Sequence, residues 1–183
     1  IKTWAENGNT IISIGSGSKL LIENKIVDEN LLDKEEFDEM DYLAYGDAEE
    51  NRDKEQIGGV ILNSIIDLTH PLAFGYENNT LPVYKNNSIW LKPSKNSYSS
   101  VVRYSDDPLL DGFLTEKNKS KINKSVSLVV SKVGRGIAVM FADNPNFRGA
   151  WYGTNRLFLN AIFLGDKIDL SLIHISEPTR QKP

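Results

Sequence analysis

Apolar and polar positions along this chain switch repeatedly between a period near two and a period near three and a half, and the switches mark its elements. Thr3 to Glu6 reads as the end of a helix that stops at Asn7-Gly8. Thr10-Ile11-Ile12-Ser13-Ile14 is a short β-branched run typical of a buried strand. Gly15-Ser16-Gly17-Ser18 then predicts a sharp turn, and Leu20, Leu21 and Ile22 predict a helix bounded by Asn24-Lys25. Helix, strand, tight glycine turn, helix is the unit from which open parallel sheets are built.

The same reading continues beyond the acidic stretch described below. Val60-Ile61-Leu62 and Ile65-Ile66-Asp67-Leu68 predict one strand, ended by Thr69-His70-Pro71, because proline lacks a ladder donor and restrains the residue before it. Leu81 to Tyr84, Ser88 to Leu91 and Val101 to Tyr104 predict further strands between Asn, Ser and Pro clusters. Ser127 to Val133, Gly134-Arg135-Gly136 and Ile137 to Ala142 predict a strand, a tight turn and a buried strand. A helix follows from Gly153-Thr154, with Leu157, Phe158, Ala161, Ile162 and Leu164 on a broad apolar surface, until Gly165 stops it.

Composition narrows the function classes. The chain has 183 residues, 40% hydrophobic and 25% charged, enough for one sizeable core and one domain. Lys+Arg number 21 against 25 Asp+Glu, a formal net charge of -4, so nucleic acid and anionic membrane are poor partners. With no cysteine, disulfides, thiolate–zinc sites and a Cys nucleophile are excluded. No apolar run approaches the roughly 20 residues that span a bilayer. The chain opens on neither a start methionine nor a signal peptide, so it reads as a piece of something longer. Asp28 to Glu55 is strongly acidic but carries Phe37, Met40, Tyr42, Leu43 and Tyr45, which predicts an exposed helix or long ordered loop with its carboxylates in water. A calcium loop is not read there, because the regular Asp/Asn ladder and its central glycine are missing.

Five residues carry candidate chemistry, and for each a structural role is the preferred reading. Ser16, at the glycine turn, is a hydroxyl that would need a base to become a nucleophile. His70 is a potential base or ligand, though Thr-His-Pro after a strand is an ordinary strand exit. Asp143, Asn144 and Arg148 follow a buried strand, where α/β sheets place contacts to a small anion or substrate tail; equally, Asp and Asn turn the chain and Arg148 pairs with a carboxylate or helix carbonyls. Trp90 and Trp151 read as packing or interdomain contacts in preference to sugar platforms.

The last stretch is set apart. Leu170-Ser171-Leu172-Ile173-His174-Ile175-Ser176-Glu177-Pro178-Thr179-Arg180 resembles translated read-through of a transposase sequencing adaptor, so residues 169–183 are expected to be a non-native tail and residues 1–168 the domain. The His-x-x-Glu spacing of His174 and Glu177, which matches a zinc-ligand pair, is then accidental.

Several segments together resemble the C-terminal region of bacterial, Bacteroidetes-type zinc carboxypeptidases, in which a class I glutamine amidotransferase-like domain follows the peptidase domain. The resemblance spans nearly all of residues 1 to 165. It rests on Ile12 to Ser16, on Ile57-Gly58-Gly59-Val60 leading to Asp67-Leu68-Thr69-His70-Pro71-Leu72-Ala73-Phe74-Gly75-Tyr76, and on Asp106-Asp107-Pro108-Leu109-Leu110-Asp111-Gly112. Its most specific piece runs from Gly134-Arg135-Gly136 through Phe141-Ala142-Asp143-Asn144-Pro145-Asn146-Phe147-Arg148-Gly149 to Gly153-Thr154-Asn155-Arg156-Leu157.

The resemblance implies a flavodoxin-like three-layer α/β sandwich, incomplete at its N-terminus. In true glutamine amidotransferases a Cys sits at the sharp strand-to-helix turn; here that turn is Gly15-Ser16-Gly17, which implies the scaffold without its catalysis. The implied parent is an exported peptidase whose upstream domain holds zinc and cleaves C-terminal peptide bonds. This chain would be its non-catalytic accessory domain, with the peptidase domain as partner in cis and no cofactor of its own. The alternatives are a small-molecule or carbohydrate-binding module of the same fold and, behind it, a hydrolase using Ser16.

Overall fold

The computed structural model describes residues 1–32 and 56–170. Most of the acidic stretch and all but Asp169 and Leu170 of the expected tail lie outside the described residues, His174 and Glu177 among them. In chain order the elements are α1 (Lys2–Glu6), β1 (Thr10–Ile14), α2 (Ser16–Glu23), β2 (Val60–Ile66), β3 (Thr80–Lys85), β4 (Ser100–Gly112), α3 (Glu116–Asn123), β5 (Val126–Val133), β6 (Gly136–Phe141) and α4 (Tyr152–Leu164). Short 3-10 turns stand at Pro71–Ala73, Phe147–Gly149 and Gly165–Lys167.

The fold is mixed α/β, built on one six-stranded sheet in the order β1-β6-β5-β4-β2-β3. Only β1 and β6 pair in parallel; the other four pairings are antiparallel. Hence β1, β6, β4 and β3 run one way and β5 and β2 the other, which fixes the end of the sheet at which each loop emerges.

Strands β5 and β6 are buried on both faces, which is why they read as near-continuous apolar runs with no polar alternation. Their side chains still divide by parity. Leu128, Val130, Ile137, Val139 and Phe141 pack with Leu157 and Ala161 of α4. On the opposite face Val129, Val133, Ala138 and Met140 pack with Ala5 of α1 and Leu21 of α2. Helices thus cover both faces of this half of the sheet.

The other half curls. Register shifts interrupt the β2–β4 and β4–β5 ladders, and such irregularities increase local twist. As a result β3, the far edge strand, brings Leu81 and Val83 into the same cluster as Val139 and Leu157. Pro82 is tolerated on β3 because it needs no donor toward the open edge. A third cluster of Ile57, Val60, Leu62, Trp90, Tyr104 and Ile122 closes the curl beneath α3.

Three local expectations change. Ser88 to Leu91 forms no strand; only Leu91 makes isolated bridges, to Leu31 and Val126, since Asn87 and Trp90 are engaged in the polar interior described below. The strand expected to end at Leu68 ends at Ile66, where the Asp67 carboxylate accepts from the Thr69 amide at 2.9 Å and turns the chain. Helix α3 was not anticipated: its mean hydropathy is low, and it is started by Thr115, whose hydroxyl accepts from the Asn118 amide.

The β5–β6 hairpin carries α1 on its tip. The Arg135 amide donates to the Glu6 carbonyl at 3.0 Å, and a Cβ at Gly136 would stand 2.2 Å from the Asn9 oxygen and 2.3 Å from that of Ala5. Both neighbours are backbone and cannot give way. Gly136→Ala is therefore expected to cost about 1–3 kcal/mol of stability in urea unfolding, the range for overpacking a tight site, with α1 displaced.

Candidate functional site

The parallel pair β1/β6 ends in register at Ile14 and Phe141, so the Gly15-Ser16 turn and the Ala142-Asp143 turn emerge side by side. The Gly15 amide donates to the Phe141 carbonyl at 2.8 Å, and the Ser18 hydroxyl donates to the same oxygen at 2.8 Å. Ser18 also shares a hydrogen bond with Ser13 at 3.0 Å. This tie sets the abrupt entry into α2.

The residue that takes the strained conformation at this turn is Gly15, at φ 53 and ψ -116. Ser16 is the first residue of α2 and is exposed. In a nucleophile elbow the reactive side chain sits on the strained turn residue itself; here that position has none. His70 is no base for Ser16 either. It follows β2, which runs against β1, so the two residues lie at opposite ends of the sheet.

His70 starts the 3-10 turn at Pro71–Ala73, its Nδ1 accepting from the Leu72 amide at 3.1 Å. With Nδ1 an acceptor, the neutral ring carries its proton on Nε2, which is buried without a partner among the described residues. Burial pushes the His70 pKa down, against the pull of nearby Asp67. The Asp67 carboxyl is itself held low, chiefly by the Thr69 hydroxyl. Both residues, with Tyr98, Lys167 and Ile168, line a pocket of about 460 Å³. Asp169 and Leu170 complete that wall, and Leu170 is buried in the core.

Asp143 belongs to a polar interior. Its Oδ1 accepts from Lys85 Nζ at 2.9 Å, and its Oδ2 accepts from the Tyr104 hydroxyl at 2.5 Å and the Ser127 hydroxyl at 2.8 Å. Lys85 is 0% exposed and Asp143 3%. The other two ammonium hydrogens go to the Ile89 carbonyl at 2.9 Å and Asn87 Oδ1 at 3.3 Å. Asn87 in turn donates to the Ala142 carbonyl at 3.0 Å, and the Trp90 ring lies 4.6 Å from the ammonium. Burial, then the Asp143 charge, pushes the Tyr104 pKa well above its ordinary value, so Tyr104 remains a donor.

Every proton of the ammonium has an acceptor and both carboxylate oxygens have donors. The ammonium has no proton left for a substrate, and the carboxylate is held by three donors. The cluster's chemistry is cohesion.

Asn144 Oδ1 accepts from the Asn146 amide at 2.9 Å and turns the chain. Arg148 stands apart on the following turn, exposed, with φ 52 and its guanidinium 5.2 Å from the Phe147 ring centroid. The structure therefore brings Ser16, Asp143, Asn144 and Arg148 to one end of the sheet and leaves His70 at the other. Sequence reasoning missed Lys85, Tyr104, Ser127 and Asn87. The signal for Lys85 was present, since Leu81, Val83 and Lys85 share one parity of β3. Trp151 is half-buried, its Nε1 donating to the Pro82 carbonyl at 3.2 Å.

Among the described residues no group of three or more His, Asp or Glu is placed to hold a metal ion, and no helix is long and apolar enough to cross a membrane.

Two predictions follow from these partners. Lys85→Met strands a buried carboxylate and is expected to cost about 3–5 kcal/mol. In a double-mutant cycle Lys85→Met with Asp143→Leu should lose clearly less than the sum of the single losses; additive losses would show the pair uncoupled. For His70, the folded pKa lies below the ordinary 6.5, so below that pH the unfolded chain binds the extra proton. Its contribution to stability is complete above pH 6.5 and lost as pH falls through the folded value. His70→Asn, which keeps a capping acceptor, should flatten that part of the stability–pH curve measured by chemical denaturation.

No family model matches the chain, and neither a curated protein nor a solved structure is similar enough to match it.

Proposed function

We propose that the chain is a non-catalytic accessory domain of a zinc carboxypeptidase, with a class I glutamine amidotransferase-like, flavodoxin-like core. The observation that carries this reading is Gly15: the strained strand-to-helix turn on which such a fold mounts its nucleophile bears no side chain. The parallel β1/β6 pair, with α1 and α2 on one face and α4 on the other, supports the layered core. The antiparallel β2–β3–β4 arm elaborates it.

In this reading the chemistry belongs to the parent. Its upstream domain holds the zinc and hydrolyses C-terminal peptide bonds of an exported enzyme, while this domain packs against it in cis or shapes access to it. A metal is not assigned to this chain, whose His70 already spends Nδ1 on the Leu72 amide. A small-molecule-binding role for the same domain is favoured by a different observation, the cationic aromatic turn after β6.

The test is the source gene. Reading upstream of Ile1 should reveal a His-x-x-Glu pair with a later His in the same frame, preceded by a signal peptide. A start codon just before Ile1 would overturn the accessory reading. Ser16→Ala should leave the free energy of unfolding, measured in urea, within about 0.5 kcal/mol of the original, as for an exposed surface position.

A further inference from the structure

Of the three polar residues that follow β6, the structure leaves one with an unused charge. Asp143 is neutralised by Lys85 inside the protein, and Asn144 is spent on the turn. Among the described residues no carboxylate lies within ion-pair distance of Arg148. Among the described residues Arg148 is therefore an exposed cation without a carboxylate partner.

Arg148 is also held in place. Its left-handed backbone, φ 52, is uncommon for a residue other than glycine, asparagine or aspartate. The turn that imposes it is braced on both sides. Thr154 donates to the Pro145 carbonyl at 2.7 Å, the Asn155 amide donates to Asn146 Oδ1 at 2.6 Å, and Trp151 is tied to Pro82. Phe147 stacks on Tyr84 with centroids 3.8 Å apart, and Trp151 lies 6.2 Å from Tyr84. Tyr84, Phe147 and Trp151 are each half-buried at the surface beside Arg148. A Cβ at Gly149 would find nothing within 4 Å, so the turn is open to solvent at the residue after Arg148.

We propose that the turn between β6 and α4 binds a small ring-bearing carboxylate, Arg148 receiving the carboxylate and the Phe147, Tyr84 and Trp151 cluster the ring. A guanidinium presents a planar fork that matches a carboxylate with two parallel hydrogen bonds. Resting on an aromatic ring, that fork loses less freedom on binding than a fully solvated arginine does. The aromatic cluster supplies apolar area for a ring but no charge, so an uncharged ring ligand gains only part of the interaction. This inference does not depend on a peptidase partner and stands or falls separately from it.

The experiment is a titration of the full chain with benzoate, benzamide and acetate, followed by NMR of the tryptophan indole resonances and by calorimetry. Benzoate should bind saturably with a dissociation constant on the order of millimolar, and benzamide and acetate about tenfold more weakly, since each lacks one half of the recognition. Arg148→Gln should weaken benzoate about tenfold and remove its advantage over benzamide. Arg148→Gly, which suits the left-handed backbone, should fold with an unfolding midpoint at or above the original and show the same loss. Arg135→Gln, on the β5–β6 hairpin at the other end of the sheet, should bind benzoate as the original does. Absence of saturable benzoate binding, equal affinity for benzamide, or unchanged affinity in both Arg148 variants would overturn the proposal.

Discussion

The buried Lys85–Asp143 pair fastens together two parts of the sheet that strand order keeps apart. Lys85 ends the edge strand β3, and Asp143 follows β6, with β5, β4 and β2 between them. A sheet of this size twists in any case, but twist alone does not return one edge to within 2.9 Å of the middle. The register shifts in β4 permit the curl, and the ion pair with its Tyr104, Ser127 and Asn87 partners selects one amount of it. An unpaired ammonium or carboxylate at such depth would cost several kcal/mol, so a more open or more closed sheet is penalised sharply. Specificity of shape is what the cluster supplies, more than net stability.

That same closure positions the outer turns. Asn87 reaches the Ala142 carbonyl, so the residues after β6 are held from the β3 side as well as from α4. Arg148 inherits its fixed place from this arrangement, and so does the Tyr84–Phe147 stack, whose two rings come from the two parts the ion pair joins. Cohesion and surface recognition are thus arranged on one end of the sheet. The Gly15 turn shares that end but is anchored independently, through Phe141.

Much of the fold was legible because its signals are local. The runs Thr10 to Ile14, Val60 to Ile66 and Ser127 to Val133, the Gly134–Gly136 turn and the α4 stripe each declare themselves within a dozen residues. Ser88 to Leu91 misled because its apolar residues serve a buried ammonium, an environment that alternation cannot reveal. Helix α3 was hidden by its lysines and asparagines, since only Ile122 and the small side of the helix meet the core. The candidate site was legible at Asp143, Asn144 and Arg148 but not in its partners. Lys85 lies 58 residues from Asp143, and nothing short of the curl pairs them. The strand–turn–helix unit implied parallel pairing without naming β6 as the partner of β1, and the antiparallel arm was not implied.

The pairing of Thr10 with Ile137 also carries a consequence for the order of assembly. Among the described residues β1 is the earliest of the six strands and pairs only with β6, the last of them. As the polypeptide lengthens on the ribosome, the β1/β6 ladder cannot form until the β5–β6 hairpin has emerged. Contacts of such long sequence separation form slowly because loop closure precedes their reward. Among the described strands, the uncharged segment Thr10 to Ile14 therefore waits longest for its partner, which lengthens its exposure to trapping by a neighbouring nascent chain.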